Sequence, residues 1–196
     1  VFTIPIIDAQ GILGGDIEEA RQAEARPTKL KIPNRKSEMT TRIFITNSSE
    51  ETIARGREFA LILNPPALVL LKGDLGSGKT TLTKGIISGL GAAREEDVTS
   101  PTFNLVHEFR RPIPEGSDHN SAPFKIYHVD LYRIENFHDL ESLGLEDALS
   151  EKAIVIIEWP ERFTLRTDWP TMEILLDHVG GDSRRIAISD VHVKGT

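Results

Sequence analysis

The chain has 196 residues, with 23 Lys plus Arg against 30 Asp plus Glu, a net charge of −7 and no cysteine. That length suits one α/β domain with a sizeable core, and a second full domain is not expected. The acidic balance argues against broad attraction to a nucleic-acid backbone, the absence of cysteine removes disulfides, thiolate catalysis and Cys-based zinc sites, and no apolar run approaches a membrane span.

Residues 1–38 carry Pro5, Pro27 and Pro33, and their six acids and six bases cancel. They show no periodic core face and are expected to form a disordered or loosely attached leader, although Ile4, Ile6 and Ile7 could lie in a surface groove. The opening VFTIPII is too short for a signal-peptide core and lacks a basic flank, so the cytoplasm is the expected compartment. Met39 reads as the natural start of the folded unit, 39–196. A strand is predicted over Arg42 to Thr46. Ser48 and Glu51 then have capping-box spacing, which predicts a helix running to about Leu63, with Ile53, Phe59, Ala60 and Leu63 inward and Pro65-Pro66 as its stop.

The apolar run Ala67 to Leu71 predicts a buried strand, and Thr81 to Leu90 a helix ended by Gly89 and Gly91. Phe103 to Phe109 and Phe124 to Asp130 predict two strands joined by a long, mobile connection, Arg110 to Pro123. Asn136 to Leu149 is helical material whose stripe of Phe137, Leu140, Leu143 and Leu145 reads as core. Ala153 to Ile157 is a buried strand closed by Glu158. Met172 to Val179 and Arg184 to Val193 are predicted as the last two strands, joined at Gly180-Gly181-Asp182. No repeat is visible.

Between the second predicted strand and second helix lies KGDLGSGKTTL, in which Gly73, four residues, then Gly78-Lys79-Thr80 match the phosphate-binding loop. Gly73, Gly76 and Gly78 permit positive φ and close backbone approach, so that the N–H groups of Asp74, Ser77 and their neighbours can curl around an anion at a helix N-terminus. Lys79 can reach the terminal phosphates, and Thr80, next to Thr81, can ligate Mg²⁺. Rapid hydrolysis also needs a carboxylate near the metal and a group that orients water. Asp130 and Glu158, each ending a predicted buried strand, are the two candidates, as metal partner or base. Thr99, Ser100 and Thr102 form a hydroxyl cluster where switch segments sense a γ-phosphate. His128 alternates with Asp130 along its strand and reads equally as a site residue or a structural histidine. The Asn-Lys-x-Asp guanine signature is missing, which favours ATP. Arg110, Arg133 and Arg184 are candidates to meet phosphate or base, and position alone does not choose among them. From these residues the reading stops at an ATPase or a small-molecule kinase, with a nucleotide-gated binding protein as a third class.

GDLGSGKTTL, TSPTFNLV, YHVDLYRI, the LESLGLED stretch and IVIIEWPER, in this order and spacing, resemble the bacterial TsaE (YjeE) family of tRNA threonylcarbamoyladenosine biosynthesis ATPases over roughly Arg42 to Ile188. The resemblance implies an α/β fold of the P-loop NTPase type, three-layered, with a mostly parallel central sheet and antiparallel C-terminal strands, so that 39–196 would be a P-loop ATPase domain. It further implies a weak ATP hydrolase using Mg²⁺, stimulated by TsaD and TsaB partners, that drives or resets the complex modifying adenosine beside the anticodon in tRNAs reading ANN codons. The tRNA would be met through those partners. On this sequence Gly73 to Thr80 is the nucleotide loop, Thr80 and Glu158 are the metal ligands, Asp130 is the second essential acid, and Ser100, Pro101 and Thr102 form the switch-like loop. Tyr132 and Trp159 match aromatics flanking the site, and Ser49 and Arg184 fall near positions that approach the nucleotide. Three features depart from the family pattern: the leader, which points to an upstream start codon, the long 110–123 connection, and Ser77 where Ala is common.

Overall fold

The computed structural model describes residues 41–101, 105–112, 123–136, 139, 143–144, 148, 152–163 and 167–192. The expected leader, the tip of the 110–123 connection, Thr102 and most of the 136–149 helical stretch lie outside the described residues. In chain order the elements are β1 (Thr41–Thr46), α1 (Ser49–Ala60), β2 (Ala67–Lys72), α2 (Lys79–Gly89), β3 (Val106–Arg111), β4 (Phe124–Asp130), β5 (Ala153–Glu158), β6 (Thr171–Gly180) and β7 (Ser183–His192).

The strands form a single sheet in the order β1-β7-β6-β2-β5-β4-β3. Its centre, β6-β2-β5-β4, is parallel, and the antiparallel β7 and β1 on one side and β3 on the other extend it. Burial on both faces explains why the central strands read as apolar runs: all six residues of β5 are buried. On one face Val69, Leu71, Ile154 and Ile156 meet Phe59, Leu82, Ile86 and Ile87 of the two helices. On the other face Leu68, Val129, Val155 and Ile157 pack with Leu143, Ala148, Phe163 and Trp169. The mixed α/β sheet with a parallel centre is the architecture expected from the sequence, with β1 added as an antiparallel edge.

α1 begins at the predicted cap, where the Glu51 N–H donates to Ser48 Oγ at 3.2 Å. The return bond of the box falls one residue earlier, from Asn47 N–H to Glu51 Oε2 at 2.7 Å. The helix stops at Ala60 rather than Leu63. Leu61, Ile62 and Leu63 donate to the carbonyls of Glu58, Phe59 and Ala60, three residues back, so the last turn tightens before the chain leaves, while Leu63 still reaches the core. Thr52 and Gly56, absent from the predicted inward face, are buried on it.

That burial reflects a close crossing of α1 over α2. A Cβ built on Gly85 would lie 2.1 Å from the Ile53 carbonyl oxygen, and one on Gly56 would lie 2.5 Å from that of Leu82. Both obstacles are backbone, so no rotamer change relieves them. Gly85→Ala is expected to destabilise by at least about 1–3 kcal/mol, the range for overpacked cores. Chemical denaturation should show the midpoint falling at an unchanged slope.

Candidate phosphate and metal site

β2 delivers the loop to the C-terminal edge of the parallel strands, where ligands of open α/β sheets sit. Gly73, Gly76 and Gly78 all have positive φ, at 133°, 77° and 102°. At Gly73 the requirement is also steric, since a Cβ there would approach the Leu176 carbonyl oxygen to 2.2 Å. Gly78 is the N-cap of α2 and supplies no side-chain cap, which leaves the first N–H groups of that helix to bind an anion. The Ser77 N–H donates to the Asp74 carbonyl at 3.1 Å, while the buried Ser77 hydroxyl has no partner among the described residues.

Lys79 lies across this loop, with Nζ donating to the carbonyls of Gly73 at 2.7 Å and Asp74 at 2.9 Å. The same ammonium stands 3.7 Å from the centre of the Trp159 ring. Burial pushes its pKa down, and the nearby Glu158, Glu161, Asp130 and Asp74 carboxylates work in the opposite direction.

The two predicted acids come together because β4 and β5 run in parallel with Asp130 and Glu158 as register partners. Glu158, 2% exposed, accepts from the Thr80 hydroxyl through Oε2 at 3.1 Å. Its Oε1 lies 2.9 Å from His128 Nε2. Asp130 accepts from Ser100 Oγ through Oδ2 at 2.6 Å and from the Tyr132 N–H through Oδ1 at 2.9 Å. The loop carrying Ser100 is tied to the same strand end, since the Leu105 carbonyl accepts from the Asp130 N–H at 3.0 Å.

A cleft of about 430 Å³ opens in front of these groups. Of the residues singled out from the sequence, Ser49, Gly76, Gly78, Lys79, Thr80, Thr81, Ser100, Asp130, Glu158, Trp159 and Arg184 line it. Gly73, Asp74 and Ser77 do not; they shape the loop behind it. Tyr132 and Trp159 sit side by side at its rim, their ring centres 5.0 Å apart, and Trp159 itself has a left-handed backbone. Of the three candidate arginines, Arg133 and Arg184 line the cleft and Arg110 does not. Sequence reading missed Ser48, Thr52, Leu75 and Asp182, which also line it. Ser48 was legible only as a helix cap and Asp182 only as a turn residue; nothing local joins the start of α1 to the β6–β7 turn.

The donor set fits a phosphate and a hard cation. The loop offers bare backbone, for a Cβ on Gly76 would meet nothing within 4 Å. Thr80 Oγ1 and Glu158 Oε2 are hard oxygens facing each other, with Asp130 on the adjacent strand. Among the described residues no cluster of three or more His, Cys, Asp or Glu is poised around a metal. The facing Thr80 and Glu158 oxygens suit magnesium, which takes one or two protein oxygens and completes its shell with waters and phosphate. Also among the described residues, no helix is long and apolar enough to cross a membrane.

The family model described as "Threonylcarbamoyl adenosine biosynthesis protein TsaE" matches residues 46–186. The Rickettsia bellii tRNA threonylcarbamoyladenosine biosynthesis protein TsaE is 37% identical over 146 residues, spanning 74% of this chain and 93% of the relative. The Bacillus subtilis protein of the same name is 33% identical, spanning 74% and 84%. The crystal structure of Bacillus subtilis YdiB superposes with a TM-score of 0.55 at 27% identity, covering 79% of this chain and 88% of that one. With the matched region running from the end of β1 into β7, and so through the loop and both acids, the chain belongs to the TsaE family.

Proposed function

We propose that this protein acts in tRNA threonylcarbamoyladenosine biosynthesis as a magnesium-dependent ATP hydrolase, weak alone and stimulated by partners of the TsaD and TsaB type, whose complex it drives or resets. The observation that carries the reading is the meeting of Thr80 Oγ1 and Glu158 Oε2 at 3.1 Å beside Lys79, at the mouth of a glycine-built loop. Thr80 and Glu158 would hold magnesium, with Asp130 beside them. When bound, the ion neutralises charge on the phosphate oxygens.

The chain's own residues would supply the rest. The loop N–H groups and the α2 N-terminus bind the phosphates, and Lys79 exchanges its two carbonyl acceptors for phosphate oxygens. Asp130, its carboxylate fixed by Ser100 and the Tyr132 N–H, orients a water or takes its proton at a carboxylate oxygen. Trp159 and Tyr132 cover the rim and limit water around Lys79.

The test is ATP hydrolysis with and without the two partner proteins, run beside threonylcarbamoyl incorporation into tRNA. Hydrolysis is expected to rise several-fold with partners, and incorporation over repeated turnovers is expected to depend on this protein. Neither effect appearing would overturn the proposal. Phosphoryl transfer to an added metabolite, without partner-dependent hydrolysis, would make the protein a small-molecule kinase instead.

A further inference from the structure

His128 is fully buried on β4, on the sheet face that carries Ile126 and Asp130 and lies under α2. Its register neighbour on β5 is Ile156 and its antiparallel partner on β3 is His107. An aliphatic side chain would fill such a place without the desolvation cost of an imidazole. What the imidazole adds is one hydrogen bond, to Glu158 Oε1 at 2.9 Å. A carboxylate oxygen accepts, so Nε2 donates in this bond, and the buried Nδ1 has no partner among the described residues.

Counting donors shows how much rests on that bond. Glu158 Oε2 accepts from Thr80. The other hydroxyl near the carboxylate, Thr83 Oγ1, is 3.5 Å from Oε1 but lies 3.0 Å from the Lys79 carbonyl, and its single proton serves that shorter bond. Among the described residues, His128 is therefore the effective donor to Oε1. Without it the Glu158 side chain keeps one anchored oxygen and can turn about its terminal torsion, which is intrinsically broad.

We propose that His128 is a positioning residue: it fixes one oxygen of Glu158 so that the other faces Thr80 and the magnesium site. This inference rests on the metal-dependent reading given under Proposed function. Groups that orient a metal-ligating side chain typically change metal affinity by about 10–100-fold when removed. Binding of a non-hydrolysable ATP analogue should be titrated calorimetrically, in EDTA and at graded Mg²⁺, with thermal unfolding of each ligand-free variant alongside. His128→Leu is expected to raise the Mg²⁺ concentration needed for tight binding by about 10–100-fold while leaving affinity in EDTA unchanged. His128→Gln, whose amide N–H can reach Oε1, should recover most of the Mg²⁺ dependence. If His128→Leu does not fold, His128→Asn, whose amide is too short to reach Oε1, replaces it with the same expected loss. A non-donating variant with wild-type Mg²⁺ dependence would overturn the inference alone, as would a His128→Gln variant that needs as much Mg²⁺ as His128→Leu. A wild-type protein whose nucleotide affinity ignores Mg²⁺ would overturn both the inference and the reading beneath it.

Discussion

Lys79→Ala is expected to lower ATP turnover by about 10²–10³-fold, the usual loss when one preorganised charge-stabilising donor is removed, and to weaken nucleotide binding as well. The ammonium is nearly buried, points at the mouth of the loop, and is held there by two carbonyls and the Trp159 face. Desolvation strengthens its interaction with phosphate, because the same charge acts in a lower dielectric than water. Truncation leaves the Gly73 and Asp74 carbonyls without that donor, so some stability will be lost too. A calorimetric nucleotide titration, a turnover assay and a melting curve separate the three effects. A variant that folds and turns over ATP at the wild-type rate would remove Lys79 from the chemistry.

Asp130→Asn should behave differently. It keeps the size of the side chain: with its carbonyl oxygen at the Oδ1 position the amide still accepts from the Tyr132 N–H, and its NH2 at the Oδ2 position donates to Ser100 Oγ, which turns from donor to acceptor. What it loses is the negative charge that, in the proposed mechanism, orients or deprotonates water. Turnover is expected to fall by about 10²–10⁴-fold, the typical contribution of general acid–base catalysis, with nucleotide affinity changed far less. Affinity and turnover falling together would count against a catalytic role and favour a purely metal-binding one. The comparison distinguishes the two acids: Glu158, bonded directly to Thr80, is expected to show its loss in Mg²⁺-dependent binding first.

Much of this site could be read along the chain because its parts are local. The glycines, Lys79 and Thr80 are consecutive or nearly so, and the runs Ala67 to Leu71 and Ala153 to Ile157 announce strands that must be buried on both faces. Ser48 was legible as a cap for the same reason. What could not be read depends on which strands neighbour each other. Ser49 was suggested only by resemblance, Arg184 stood as one of three arginines that position alone did not separate, and Asp182 and Thr52 were not suggested at all, since the β6–β7 turn reaches the start of α1 only after β7 has paired with β1. The ambiguity over His128 had the same origin: its face was predictable from alternation, but its partner sits on another strand, thirty residues away. The end of α1 was missed because tertiary packing draws Leu63 inward without extending the helix.

The alignment of Asp130 with Glu158 has a consequence for how this site can vary. The two acids are held in step by pairing across the β4–β5 ladder, so their separation follows the fixed spacing between strands, roughly 5 Å, and not the length of any connection. The segment joining β3 to β4 can therefore lengthen or shorten across evolution, or accept an inserted peptide, without disturbing the chemistry. Slippage of β4 by one residue is the change the site cannot absorb. It would bring Tyr127 and Val129 to the face where His128 and Asp130 now stand, and leave an apolar wall opposite the phosphate loop.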